Sequence, residues 1–169
     1  PDDLVVKATA LDLALDRLVA RADSFAIFVQ GNPMGFQTSK LERADGGWKY
    51  SEATRLATFI QQNSEVRFTD KMVMQSVNQT GKVQGQDTKI DVSYAGGRAK
   101  GSAAVPSQAG VKTIAVDADV PTGAIDDNLV TVILPALKWA DGAKFTVPIF
   151  QSGKGSTTAI VLTVAGEES

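Results

Sequence analysis

The stretch Ile90-Asp91-Val92-Ser93-Tyr94-Ala95-Gly96-Gly97-Arg98-Ala99-Lys100 decides the fold class. Ile90, Val92 and Tyr94 alternate with Asp91 and Ser93, the period of a strand with one buried face. Gly96-Gly97 follows, and a two-residue hairpin turn needs positive φ angles that glycine adopts at no steric cost. The segment therefore reads as strand, tight turn and returning strand through Val105.

The same grammar extends in both directions. Upstream, Phe25, Ile27 and Val29 share one face of a strand that ends in Gln30-Gly31-Asn32-Pro33. Met34, Phe36 and Thr38 keep one parity while Leu41 falls on the other, which predicts a bulge or twist between them. Asp45-Gly46-Gly47 marks a hairpin. Trp48, Tyr50, Thr54, Leu56, Thr58 and Ile60 then predict one long strand, and Val66 and Phe68 open another run before a turn at Asp70-Lys71. Met72 to Thr80 reads as extended and closes at Gly81. Downstream, Pro106 to Gly110 is a looser connection and Val111 to Val120 is extended. Phe145, Val147 and Ile149 alternate, as do Ile160, Leu162 and Val164.

Composition agrees. Val 18, Ile 8 and Thr 14 outnumber Leu 11 and Met 3, and β-branched side chains sit better on a pleat than against a helical turn. Strand plus turn at a spacing of about ten residues predicts a mainly β protein, a single curved antiparallel sheet or open barrel of about 8–11 strands in meander order. One short helix interrupts it near 126–138. Asp126-Asp127-Asn128 is a start signal, and Leu129, Ile133 and Leu137 form an apolar stripe at i, i+4 and i+8. Pro135 shortens or kinks that helix, and it is expected against the inner face of the sheet, near Phe25, Phe36 and Trp48. No repeat, linker or low-complexity tract divides residues 1–169, which read as one β domain. Residues 1–21 fit either a strand or a helical stripe; the alternation of Leu11, Leu13 and Leu15 favours extended chain.

Whole classes of chemistry fall away. The 169 residues include no Cys and no His, so the usual zinc sites, thiol catalysis and every imidazole base are excluded or disfavoured. Net charge is −2 and the 17 Lys and Arg are spread evenly, which argues against a nucleic-acid face. No run approaches the roughly 20 apolar residues of a membrane helix. Pro1-Asp2-Asp3 lacks the basic start and apolar core of a signal peptide.

Three local patterns invite chemistry. Asp117, Asp119, Asp126 and Asp127 make the densest acidic stretch and the one calcium candidate. The EF-hand template fails there, with Thr122 where Gly is required and Asn128 where Glu is. The plainer reading is two outward-facing strand carboxylates followed by a helix N-cap. Gln151-Ser152-Gly153-Lys154-Gly155-Ser156-Thr157 lacks the spacing of a phosphate loop and reads as a hairpin turn. Asn78-Gln79-Thr80 is a formal glycosylation sequon on a strand end. No cofactor is implied.

The turns also carry a resemblance. Ala22-Asp23-Ser24-Phe25 through Gly31-Asn32-Pro33-Met34-Gly35, then Asp45-Gly46-Gly47-Trp48, Tyr94-Ala95-Gly96-Gly97-Arg98 and Asp126 to Leu137 resemble, in order and spacing, an uncharacterised family of exported bacterial proteins. The likeness covers roughly residues 22–166. It implies a curved antiparallel sheet similar to those of outer-membrane lipoprotein carriers, and a periplasmic or cell-envelope location. Members typically continue with further strands beyond the point where this chain stops, so the C-terminal end of the sheet is left open. No catalytic residue comes with the resemblance.

The function expected from these readings is non-enzymatic: an exported β domain that holds a lipid or other hydrophobic ligand on its concave face. Phe25, Phe36, Trp48, Leu129, Ile133, Leu134 and Leu137 are the expected ligand-facing residues. The alternative is a structural or adaptor domain that engages an envelope protein through a sheet edge.

Overall fold

The computed structural model describes residues 11–165. Eight strands form one antiparallel sheet in strict sequential order: β1 (Arg21–Val29), β2 (Asn32–Ala44), β3 (Gly47–Leu56), β4 (Ile60–Thr69), β5 (Met74–Val83), β6 (Gln86–Ala95), β7 (Arg98–Ser107) and β8 (Gly110–Asp119). β1 and β8 do not pair, so the sheet stays open rather than closing into a barrel.

Register shows why the sheet has an inside. Leu41, Tyr50, Val66, Val77, Val92, Gly101 and Val116 stand directly opposite one another across seven strands. The six side chains in that row are buried, while Gly101 itself is exposed. Such cross-strand neighbours are the unit of sheet stabilisation, and here they make a continuous apolar seam. Gly101 sits in the seam because nothing larger fits: a Cβ there would lie 1.9 Å from the Asp91 carbonyl oxygen on β6. The opposite face is mainly polar away from the hairpin end that carries Phe36. Lys40, Ser51, Glu65, Asn78, Asp91 and Ser102 form one of its rows.

The chain after β8 folds back to cover the seam. It makes a two-residue strand β9 (Ile125–Asp126), a 3-10 turn Asp127–Leu129, a single α-turn α1 (Val130–Ile133) and a second 3-10 turn Leu134–Ala136. β10 (Lys144–Gln151) and β11 (Ser156–Thr163) follow as an antiparallel hairpin. β9 joins β10 in parallel through Ile149 opposite Ile125. Leu129, Val132, Ile133, Ala136, Val147 and Phe150 lose all solvent contact in this layer. The β10–β11 turn completes it, with Gly153 beside Ile90 and Val105 and Gly155 beside Val116.

Several expectations are corrected. The strands after the helix form a separate three-stranded sheet, not a continuation of the meander, because the seam needs a second layer more than another edge strand. The helix is shorter than 126–138. Pro135 opens the second 3-10 turn, where its missing N–H costs nothing. The long strand read from Trp48 to Ile60 is two strands, with a turn at residues 57–59 that contains no Gly, Pro, Asn or Asp. Ala57 takes φ +43° there, and Ala57 N–H and Phe59 N–H donate to the carbonyls of Met34 and Leu56. β5 runs through Gly81 to Val83, and β7 runs through Pro106 to Ser107.

No bulge separates Phe36 from Leu41. They lie on opposite faces, and the irregularity falls at Met34, where Ile27 pairs with Gly35 and Phe28 with Pro33. Residues 11–20 are not a strand. Leu13 makes an isolated bridge to Leu137, and Leu15–Arg17 is a 3-10 turn. The rest of the reading made for residues 1–21 falls partly on residues 1–10, outside the described residues.

Ile133 is fully buried and Leu134 is only half-buried. Ile133→Ala should therefore cost about 2–5 kcal/mol, as a core truncation does, and Leu134→Ala clearly less. Urea unfolding of the two variants checks the order.

Candidate functional site

The seam and its cover fill most of the inner face, and the expected ligand-facing residues divide accordingly. Leu129, Ile133 and Leu137 are inside the closed core, with no exposed surface. Trp48 is buried too, with the Arg43 guanidinium 3.8 Å from its ring centroid. Leu134 is half-buried and its carbonyl accepts from the Trp139 indole N–H at 2.8 Å. Phe25 and Phe36 are exposed and stand on opposite faces of the sheet, since Phe25 pairs with Gln37 and Phe36 with Ala26. The structure brings Leu129, Ile133 and Trp48 into one cluster, which includes neither Leu134 nor Leu137 and leaves both phenylalanines out.

Beyond the seam, the inner face of β1–β5 turns polar. Ser39, Glu52, Ser64 and Gln79 form the next row, and Glu52 accepts from Tyr50 Oη at 2.9 Å and Thr54 Oγ1 at 3.3 Å. A broad apolar concave surface is therefore absent from the described residues.

A compact apolar pocket lies elsewhere, at the end of the sheet where the β4–β5 and β6–β7 turns meet the 120–125 crossover. It holds about 530 Å³. Leu11, Leu13 and Leu15 form one wall, Met72, Val73 and Met74 a second, and Val120, Pro121, Ala124 and Ile125 a third. Tyr94 reaches into the junction of these walls, packed edge-on against Phe150 at 5.6 Å. Lys71, Arg98 and Asp12 stand around the lining. Volume, concavity and mainly apolar walls with a few polar groups match ordinary small-molecule sites. A larger depression of about 850 Å³ lies on the solvent face of β1–β5, but it is lined by small polar side chains such as Ser24, Thr38, Ser51 and Asn63.

Behind the pocket is the most buried charged residue. Asp126 is fully buried. Its Oδ2 accepts from Tyr94 Oη at 2.8 Å. Its Oδ1 accepts from Asn128 N–H at 3.0 Å and Asn128 Nδ2 at 2.7 Å. The second pair of bonds is the N-cap expected of this residue. Burial and then the Asp126 carboxyl push the Tyr94 hydroxyl well above the usual tyrosine range, so it stays a donor at any physiological pH. Asp127, beside it, is pushed up to about 7, first by burial and then by the Asp126 charge.

The other two acids of the calcium candidate point away. Asp117 and Asp119 sit on the solvent face of β8 and share Arg98, at 2.6 and 2.8 Å. The guanidinium holds the Asp117 carboxyl below its ordinary value. The four acids thus fall into an Arg98-neutralised pair, the buried N-cap Asp126 and its solvent-exposed neighbour Asp127, and among the described residues no group of three or more potential ligands is placed to hold a metal.

Sequence reasoning missed the pocket. Its walls come from three turns and the 11–15 segment, each apolar enough only to be read as strand or core. The signal that was available is Met72-Val73-Met74 directly after a turn, where solvated residues are the norm.

An open eight-stranded meander, capped on one face by a short helical segment and a small second sheet, defines the class of the protein. Residues 25–169 match the family described as protein of unknown function (DUF3108), and the chain belongs to that family. No curated protein and no solved structure matches it.

A carboxyl whose proton affinity is raised by folding loses stability as pH rises from about 4 through 7, because the unfolded chain releases the proton more easily. Asp127→Asn should therefore match the native protein in melting temperature near pH 4 and exceed it near pH 8. The gain is modest, since the side chain also reaches solvent. Tyr94→Phe should cost about 1–3 kcal/mol in urea unfolding, because Asp126 Oδ2 is left buried without its donor.

Proposed function

We propose that the protein is a non-enzymatic binding domain that takes a hydrophobic molecule, such as the acyl chain of a lipid, into the end pocket beside Tyr94. The observation that carries this reading is the pocket itself: about 530 Å³ of space with walls of Leu, Met, Val, Pro and Ile side chains. Apolar surface of that kind, left open to water, is commonly a binding site. Lys71 at the rim offers a cation to an acidic headgroup, while Arg98 is already committed to Asp117 and Asp119. This places the ligand at one end of the sheet, away from the helical residues first expected to face it.

The motif resemblance supports a periplasmic or cell-envelope setting, where carriers of acylated cargo operate. No helix among the described residues is long and apolar enough to cross a membrane. The alternative of an adaptor finds support in the two unpaired edges of the open sheet, β1 and β8, which could extend pairing into a partner.

A fluorescent long-chain fatty-acid analogue should bind the native protein saturably and be displaced by unlabelled fatty acid. Val73 is 58% exposed at the pocket wall, so Val73→Glu leaves the fold intact and sets a carboxylate beside the apolar tail. Affinity should fall by at least about fivefold, equivalent to about 1 kcal/mol. Absence of saturable binding to the native protein would overturn the ligand reading.

A further inference from the structure

The meander places four hairpin turns at the end of the sheet remote from the pocket: residues 30–31, 57–59, 84–85 and 108–109. Six of the ten exposed large apolar side chains among the described residues gather there. Phe25, Phe28, Phe36 and Phe59 are 50–60% exposed, and Val29 and Val111 are each 46% exposed. This end holds four of the seven phenylalanines of the chain. A monomer seldom leaves that much aromatic surface in water without a use for it.

We propose that this end of the sheet docks on an anionic lipid bilayer, with the phenylalanines at the hairpin tips entering the headgroup and upper acyl region. Three observations favour a bilayer over a protein partner. First, the apolar side chains point in every direction around the tip. Phe25 lies on the inner face, Phe36 on the opposite one and Phe59 within a turn. A flat protein surface meets one face of a sheet, whereas a bilayer surrounds whatever is pushed into it.

Second, the backbone of the aromatic tips is already paired. Ala57 N–H donates to Met34 O at 2.7 Å, Phe59 N–H to Leu56 O at 2.9 Å and Gln84 N–H to the Phe59 carbonyl at 2.6 Å. Insertion does not strand these donors, the main penalty that lipid exacts from irregular backbone.

Third, the charge suits an anionic surface. Residues 25–37, 54–62, 80–89 and 104–113 contain Arg55, Lys82, Lys89 and Lys112 but only one acid, Asp87, although the whole chain is net negative. Asp87 is paired with Lys82 at 3.1 Å. Among the described residues neither Lys89 nor Lys112 forms an ion pair, and Arg55 bonds to two carbonyls and an amide oxygen, keeping its charge. Cations behind an aromatic tip are the usual pairing of surface-seeking proteins.

The test uses the full chain and sedimentation with vesicles of phosphatidylcholine, with or without a substantial fraction of phosphatidylglycerol. Native protein should partition to the anionic vesicles, more strongly at low salt than at high salt. Phe28→Ser combined with Phe59→Ser alters two exposed positions and should leave the melting temperature unchanged, yet weaken partitioning by at least about tenfold. Lys89→Gln with Lys112→Gln should lower binding to the anionic vesicles and flatten its salt dependence. Val73→Glu should leave partitioning intact, so this proposal and the pocket reading fail separately. Native protein that ignores anionic vesicles, or partitioning unaffected by the phenylalanine pair, would overturn it. So would a native dimer that the phenylalanine pair dissolves, with no vesicle binding, since the tips would then be an interface between copies.

Discussion

A single apolar seam, running sideways through Leu41, Tyr50, Val66, Val77, Val92 and Val116, governs the architecture. Eight hairpin-linked strands can pair their backbones without help, but they cannot keep that seam from water. The segment after β8 exists to cover it, and its own apolar residues have no other place to go. Tyr94 and Asp126 fasten the two layers at one end: a hydroxyl on the sheet donates to a carboxyl on the cover, and Phe150 packs edge-on against the same ring. The one buried acid among the described residues therefore serves twice, capping the helical turn behind it and tying the cover to the sheet.

Coverage is partial, and the partition explains where function can reside. Where the cover lies, the interior is filled and offers nothing to a ligand. Where it stops, toward β1–β5, the inner face changes to the polar side chains Ser39, Glu52, Ser64 and Gln79. Apolar surface gathers in two places, the pocket beneath the crossover and the hairpin tips, which lie at opposite ends of the strands, while Val19, Trp139 and Val161 are exposed elsewhere. A molecule held in the pocket and a surface touched by the tips would be separated by the length of the sheet.

Much of the meander was legible because glycine-bearing turns punctuate it. Asp45-Gly46 and Gly96-Gly97 sit where two-residue turns were read, and β6 alternates as Ile90, Val92 and Tyr94 require. The turn at 57–59 was not legible. Its backbone is held from outside, by Met34 on β2 and by Gln84 on the next turn, so no local residue has to announce it. Gly81 misled in the other direction. It looks like a terminator but lies mid-strand, where a Cβ would come 2.1 Å from the Gln61 carbonyl oxygen. The candidate site fared worse. Alternation tells which residues share a face, not which face is covered, so Phe25 and Phe36 were grouped with a core that neither joins. Asp126, by contrast, was read correctly as a cap from its own neighbourhood, although its partner Tyr94, 32 positions earlier, was beyond any local rule.

Sequential strand order has a kinetic side. Each hairpin of the meander closes over a short loop and can form as soon as its two strands exist. The cover comes from residues beyond 120, the last part of the described chain to be made. During synthesis the sheet accordingly spends time with its seam bare, a sticky half-product of the kind that aggregates. The dense lattice of charge on the opposite face, with Lys49 held to Glu42 and Arg67 to both Glu65 and Asp45, keeps such half-products from stacking on that side. Only the seam is left to close, and its natural partner is the next stretch of the same chain.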